Sequence, residues 1–269
     1  IPPGAMQIEM VGRGVAIRPT PDMTPILIEG ETRLEVDDSD MVVSGEGGTI
    51  ATGSGDITVQ NPALVMDNSS PEESIFEISG DISGSVPTVM RIANAEPLNL
   101  LEEFQFGFDL DTLANDLGGD VAATVISTIT TDDIGRMVST DYALNGSVTN
   151  LRSVNPIEGF DFSDTHLSFT ASQAGFNVTG QGMLEDIAVD LHATRSGNEA
   201  ADFRAAATFS VEDARSIGLD LSEFMDGNVR VVTRPMPDGS FQVLADLADA
   251  GLRLTDVGIA KPRGEAGRL

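Results

Sequence analysis

The feature of this sequence that most constrains its fold is the alternation of apolar and polar residues with a period of two. The alternation is clearest from residue 121 to residue 211. Successive side chains of a β-strand point to opposite faces of a sheet, so the pattern predicts strands with one apolar and one polar face. The predicted strands are 121–130, 141–149, 165–172, 175–184, 186–194 and 202–211.

Ten apolar positions define the apolar face of these predicted strands. Glycines interrupt the pattern at Gly175, Gly180 and Gly182 and permit bulges, so we expect the sheet to curl. The ten positions are Leu167, Phe169, Phe176, Val178, Leu184, Ile187, Val189, Leu191, Phe203 and Phe209.

Residues 1–84 show the same alternation, for example at Met6, Ile8 and Met10. Clusters of Gly, Pro, Asn, Asp and Ser separate the apolar stretches at intervals typical of an antiparallel meander. The predicted turns include 37–40, 45–48, 61–62 and 68–71.

Two segments break the alternation and are predicted to be helical. In the first, Pro97 precedes Leu98, Leu101 and Phe104 at helical spacing, and a second turn ends at Gly118-Gly119. The other spans 210–227 and begins with Ser210 and Asp213, which resemble a capping box. There, Gly218 is predicted to end the first turn, and Leu221, Phe224 and Met225 to anchor the second.

These two helical segments share a motif. Phe106-Gly107-Phe108-Asp109-Leu110 precedes Gly119-Asp120-Val121, and Ile217-Gly218-Leu219-Asp220-Leu221 precedes Gly227-Asn228-Val229. The recurrence predicts a repeated supersecondary unit. The predicted fold class is mainly β: a long, curled, groove-like antiparallel sheet with short helical inserts. We divide it into segments 1–95, 96–210 and 211–269 of one continuous sheet.

Charge and composition exclude several classes of function. Lys and Arg number 15 against 43 Asp and Glu, giving a net charge of -28, which would repel nucleic acid. The chain has no Cys. No apolar run is long enough to span a membrane. We expect the sequence to be an internal fragment of a longer protein whose membrane anchor lies outside this piece.

Residues capable of chemistry are scattered. His166 and His192 fall on the polar face without a second ligand at metal-binding spacing. The Asp-rich segments 37–40 and 109–120 lack the spacing of a calcium loop. We therefore predict no catalytic residue, no metal and no cofactor, and expect that the protein is not an enzyme.

Five motifs resemble the AsmA-like superfamily, and within it the YhdP-type branch of large Gram-negative envelope proteins. They are an A-D-L-x-x-A-x-L-x-L run at 245–254, G-x-x-K-P-x-G at 258–264, the F-G-F-D-L…G-D-V insert at 106–121, D-Y-A-x-x-G-x-V-x-N at 141–150 and G-F-x-V-x-G-x-G at 175–182. The resemblance covers 95–269 closely and 1–94 loosely. An insertion at 115–117 departs from the pattern.

The resemblance implies a full-length protein that is anchored in the inner membrane and lies in the periplasm, where it passes phospholipid or another acyl lipid along an apolar groove toward the outer membrane. Its further partners would be inner- and outer-membrane components that contact other parts of the protein. The ten apolar positions are the candidate groove lining. Two alternatives stay open: the apolar stripe is an ordinary covered core, or the chain is a structural, adhesin-like β-solenoid, which would need parallel coils.

Overall fold

The computed structural model describes residues 7–17, 25–37, 40–52, 55–68, 70, 72–94, 116–157, 160–197, 199, 201–216, 218, 220–236, 241–254 and 258–265. Two helices occur in these ranges, α1 (Val86–Asn94) and α2 (Val211–Ser216). The strands are β1 (Gln7–Arg13), β2 (Ala16–Ile17), β3 (Ile26–Asp37), β4 (Asp40–Thr52), β5 (Gly55–Asp67), β6 (Glu73–Ser85), β7 (Leu117–Asp132), β8 (Met137–Ile157), β9 (Phe160–Ser172), β10 (Gly175–Leu184), β11 (Ile187–Ser196), β12 (Asp202–Ser210), β13 (Met225–Pro235), β14 (Phe241–Asp246), β15 (Ala250–Leu254) and β16 (Ile259–Lys261).

All sixteen described strands belong to one sheet that does not close on itself. From β3 to β13 each strand neighbours the next in sequence, while β2 pairs with β3 and β14 pairs with β13. The sheet is antiparallel, as the alternation and the short turns predicted. The predicted mainly β fold class, a long antiparallel sheet with short helical inserts, is confirmed.

Packing divides the chain into two compact units. The first comprises Ile1–Val148 and Ser168–Gly175, and the second comprises Thr149–Leu167 and Phe176–Leu269. The predicted segments 1–95, 96–210 and 211–269 follow the positions of the helical inserts rather than packing, and they stay a prediction.

In the first unit, the strand register aligns side chains into two rows that each cross six strands. Directly opposed residues of antiparallel strands project from the same face, so each row lies on one face. The two rows are two residues apart on every strand, so they share that face. Row A is Met10, Leu34, Val43, Leu64, Ile78 and Ser127. Row B is Ile8, Val36, Met41, Met66, Phe76 and Ile129.

Two predicted turns of the first unit lie inside strands instead. Residues 45–48 belong to β4 and residues 61–62 to β5. The register of β5 against β6 shifts between Gln60 and Ala63, and Asn61 adopts a positive φ of 49°. A β-bulge absorbs an extra residue while the strand continues, which explains why glycine, Asn and Pro here do not end it.

Helix α1 follows β6 directly and was missed by the sequence analysis, which placed the first helix from Pro97. Ser85 caps it, since the Ser85 Oγ accepts a hydrogen bond from the Thr88 N–H at 3.4 Å. Val86 and Thr88 are buried, and the Thr88 hydroxyl lies against Gly55 at the start of β5. Helix α1 therefore covers one end of the apolar face. The predicted helix from Pro97 lies outside the described residues.

Helix α2 begins where the sequence analysis placed it. The Ser210 N–H and Oγ–H donate to the Asp213 carboxylate at 2.7 and 2.8 Å, and the Asp213 N–H donates to the Ser210 Oγ at 3.1 Å. The Gly218 N–H donates to the Arg215 carbonyl, with φ of 86° at Gly218. The reciprocal bonds confirm the capping box.

The predicted second anchor turn is partly wrong. Met225 is buried in a cluster with Val211, Val229, Leu247 and Ala250, and Leu221 packs against that cluster. However, Phe224 is 46% exposed. Only a single turn links Leu221 to β13, so the ring leaves the core.

Strand register supports the predicted repeat. In the first unit Ser85 pairs with Asp120, directly after Gly119, and in the second Ser210 pairs with Asn228, directly after Gly227. Both glycines have positive φ, 128° and 89°. Each unit thus holds a strand, a serine-capped helix and a returning strand in the same register. The motif residues 106–110, Ile217 and Leu219 lie outside the described part of the chain.

Candidate functional site

The candidate site is the apolar face of the second unit, which holds nine of the ten predicted groove residues. The tenth, Phe169, belongs to the first unit. Strands β9 to β13 supply this face. Successive side chains of a strand point to opposite faces, so the apolar residues share one face and the polar residues between them project from the other.

Register places the β11 and β12 residues on one face. Val189 pairs with Ala207 and Leu191 with Ala205, and the alternate β12 residues Phe203 and Phe209 share that face. Phe209 in turn pairs with Val229 of β13, so the apolar face continues into the cluster under helix α2.

Strand β10 brings the remaining residues to the same face. The Leu167 Cδ2 lies against Gly180, 2.8 Å from where a Cβ would stand, so Leu167 occupies the space above that glycine. Phe176 and Val178 share the side of Gly180 by alternation, as does Leu184. The Phe176 and Phe203 rings are 6.4 Å apart and inclined at 43°. The structure therefore joins the separate sequence positions into one apolar surface.

Burial divides these residues into two groups. Phe176, Ile187 and Val189 are buried, each with 7% of its surface exposed. The other six within this unit are half-buried and keep part of their surface accessible. They are Leu167, Val178, Leu184, Leu191, Phe203 and Phe209.

The opposite face is polar and hydrogen-bonded. Gln181 donates to the Asp190 carboxylate at 2.8 Å between neighbouring strands. His192 pairs across the strands with Arg204, on the side away from Leu191. His166 is exposed, with its Nδ1 3.2 Å from the Asp164 carbonyl oxygen. Both histidines lie on the polar face, as predicted.

Rows A and B of the first unit form a second apolar surface that the sequence analysis did not select as candidate lining. The alternation of residues 6–82 identified these residues as apolar-face positions. Which of them align in a row depends on strand register, and register is set by contacts between strands that are far apart in sequence. Ile8 and Met10 at the edge strand β1 are 37% and 54% exposed, because no strand among the described residues flanks β1 on its outer side.

A cleft of about 560 Å³ lies beside helix α2. Within it the Arg263 Nε donates to Asp226 at 2.6 Å, and Arg253 donates to the same carboxylate at 3.1 Å. These contacts hold the pKa of Asp226 below its ordinary value, first because of the hydrogen bond from Arg263. Asp226 is therefore ionised and paired at neutral pH, and it is unsuited to donating a proton.

The motif at 258–264 has a structural role. The Lys261 ammonium donates to the carbonyls of Leu247 and Ala250 at 2.6 and 2.8 Å, and to that of Pro262 at 3.1 Å. Leu247 and Ala250 belong to the buried cluster under α2. Lys261 thus secures the turn that completes this cluster.

Two features of the described residues concern metal binding and membrane crossing. No three His, Cys, Asp or Glu side chains in that part of the chain are grouped so that they could hold a metal ion. None of the helices in the same ranges combines the length and the apolar character that crossing a membrane requires.

No protein-family model, curated protein or solved structure matches this chain. The resemblance to the AsmA-like superfamily therefore stays a prediction.

Proposed function

We propose that this chain is a segment of a periplasmic lipid-transfer protein, anchored in the inner membrane by another part of the protein. It carries phospholipid acyl chains along the apolar sheet face between the inner and outer membranes and so supports outer-membrane biogenesis. The protein acts as a conduit and not as an enzyme.

The observation that carries this proposal is the pair of apolar rows in the first unit. Row B is apolar across all six strands, about 24 Å at about 4.8 Å between neighbouring strands, and row A is apolar across five of them, from Met10 to Ile78. Helix α1 packs against β5, β6 and β7 at the strand ends away from the rows. Leu64 and Ile129 are buried, and the other apolar residues of the rows keep part of their surface accessible. A lipid chain lying along a row would gain about 25 cal/mol for each Å² of apolar surface removed from water, without contacts specific to its head group.

The half-buried residues of the second unit support the same role. They alternate along each strand with polar residues that are hydrogen-bonded on the opposite face. One side of the sheet would therefore contact lipid and the other side water. The β-solenoid alternative fits less well, since a solenoid requires parallel coils and the described sheet is antiparallel.

A matched pair of substitutions on β10 tests the proposal. Val178→Asp adds a carboxylate to the apolar face, and Thr179→Asp adds one to the polar face, one residue away. We expect Val178→Asp to weaken capture of a fluorescent-acyl phospholipid at least about tenfold, or about 1.4 kcal/mol, because lipid would have to cover a charge. Fluorescence titration and mass spectrometry of co-purified lipid measure the loss.

Thr179→Asp should capture lipid as the unaltered chain does, with both variants matched by circular dichroism. Ile78→Asp in row A and Ser83→Asp on the polar face of the same strand, β6, repeat the comparison in the first unit. Equal capture by all four folded variants, or no capture by the unaltered chain, would show that the apolar face does not carry lipid.

A further inference from the structure

The turn between β7 and β8, with the first residues of β8, exposes three large apolar side chains close together. Ile134, Met137 and Val138 are 67%, 58% and 60% exposed, although they lie within five residues of one another. We name residues 132–138 the β7–β8 tip. Grouped exposure of this kind marks contact surfaces more often than single exposed residues do.

The tip is held in a defined conformation. The Asp132 carboxylate accepts hydrogen bonds from the Ile134 N–H, the Arg136 N–H and the Arg136 Nε–H, at 3.2, 2.8 and 2.8 Å. The Asp132 N–H donates to the Arg136 carbonyl, and the Gly135 N–H donates to the Asp132 carbonyl. The apolar side chains are thus presented by a turn that the Asp132 and Arg136 hydrogen bonds hold together.

The neighbouring turns at the same strand ends are different. The β3–β4 connection is bounded by Asp37 and Asp40, and the one between β5 and β6 includes Asn68, Ser70 and Glu72. The residues that the structure describes in these two connections are all polar, so they do not share the apolar exposure of the tip.

The position of the tip connects it to the apolar rows. Row B ends at Ile129 of β7, three residues before Asp132. Helix α1 lies at the opposite strand ends, because it follows Ser85 and Ser85 pairs with Asp120 at the other end of β7. The tip therefore stands at the strand ends opposite α1, beside the β7 residue of row B.

We propose that the β7–β8 tip docks on the surface of a lipid bilayer and brings the strand ends beside row B, opposite α1, to the membrane that gives or receives lipid. Its role in lipid exchange rests on the proposed function, whereas docking can be measured separately. A convex turn with three apolar side chains can insert among head groups, and a chain with a net charge of -28 favours a zwitterionic surface over an anionic one.

The test is flotation of the 269-residue chain with phosphatidylcholine vesicles. The variant carries Ile134→Thr, Met137→Thr and Val138→Thr. The matched control carries Val11→Thr, Leu27→Thr and Leu244→Thr, which remove exposed apolar side chains that are scattered through strands. We expect the tip variant to lose at least tenfold in vesicle association, the control to keep it, and phosphatidylglycerol in the vesicles to weaken it.

Three results would overturn docking: no flotation of the unaltered chain, equal loss in both triple variants, or flotation that survives the tip substitutions. Failure of the unaltered chain to float while the tip captures another protein would assign the tip to a protein partner instead. Capture of soluble fluorescent-acyl phospholipid separates this idea from the proposed function. The tip variant should retain capture, whereas Ile78→Asp should lose capture and still float.

Discussion

The Asp220 side chain shows how single residues organise the turn after helix α2. Ser222 donates to the Asp220 Oδ1 through its hydroxyl at 2.6 Å and its N–H at 3.1 Å, and Arg215 donates to the same oxygen at 3.2 Å. These hydrogen bonds lower the pKa of Asp220 from 3.8 to about 2, and the bond from the Ser222 hydroxyl has the largest effect. The carboxylate is therefore a fixed acceptor for the turn.

Ser222→Ala removes the largest of these contacts. We expect the pKa of Asp220 to rise from about 2 toward 3.8, because the remaining donors stabilise the ionised form less. The lowered pKa favours the folded state above about pH 4, and this contribution disappears as the pH falls toward 2. Its loss should therefore begin at higher pH in the variant. Carboxyl NMR titration measures the shift, and an unchanged midpoint would refute the assigned cause.

At the scale of elements, close backbone approaches set the register of the strands. A Cβ on Gly180 would overlap the His166 carbonyl oxygen and lie 2.8 Å from the Leu167 Cα. Backbone atoms cannot rotate away as a flexible side chain can, so β9 would have to separate from β10 to admit a methyl group.

Gly180→Ala should destabilise the protein by about 1–3 kcal/mol, the usual cost of overpacking. Gly47→Ala is the control, because its nearest contact, the Val59 carbonyl oxygen, is at an ordinary 3.5 Å. Urea unfolding followed by circular dichroism measures both. Equal stability of the two variants would mean that the strands tolerate the methyl group at either place.

Strands could be predicted from the sequence more fully than helices or packing. Alternation of apolar and polar residues locates β7 to β12, because the polarity of each side chain indicates the face of the sheet on which it lies. Helix α1 was missed because its start, Ser85-Val86-Pro87, continues a strand rich in Gly and Ser, and only the pairing of a capping Ser with Pro in the first turn marked it. Gly45 and Asn61 were assigned to turns because a bulge and a turn use the same residue types.

The candidate site was only partly predictable for a related reason. The sequence identifies Val178 or Leu191 as apolar-face residues, but rows A and B arise from six strands whose register is set by contacts far apart in sequence. Burial also depends on tertiary packing, which places Val189 in the interior and leaves Leu191 partly accessible.

The whole molecule carries a net charge of -28, with few cations to offset it. Most ion pairs between described residues are exposed, as between Arg13 and Glu31, so they contribute little stability. Mutual repulsion among carboxylates should therefore be the main electrostatic effect on the fold.

Added salt should stabilise this protein. The Debye length falls from about 30 Å at 0.01 M to about 8 Å at 0.15 M, which screens repulsion between distant carboxylates. We expect the midpoint of thermal unfolding to rise over this range in NaCl, measured by circular dichroism. A midpoint that falls would indicate that attractive pairs outweigh the repulsion.

The matched register of the two strand–helix–strand modules has an evolutionary consequence. The chain takes 35 residues to pass from Ser85 to Asp120 but 18 to pass from Ser210 to Asn228, and it rejoins the sheet in equivalent positions. Doubling the length of a loop costs only about 0.6 kcal/mol of loop-closure entropy. Descendants of such a module can therefore gain or lose residues between its fixed departure and return points without inverting the faces of any later strand.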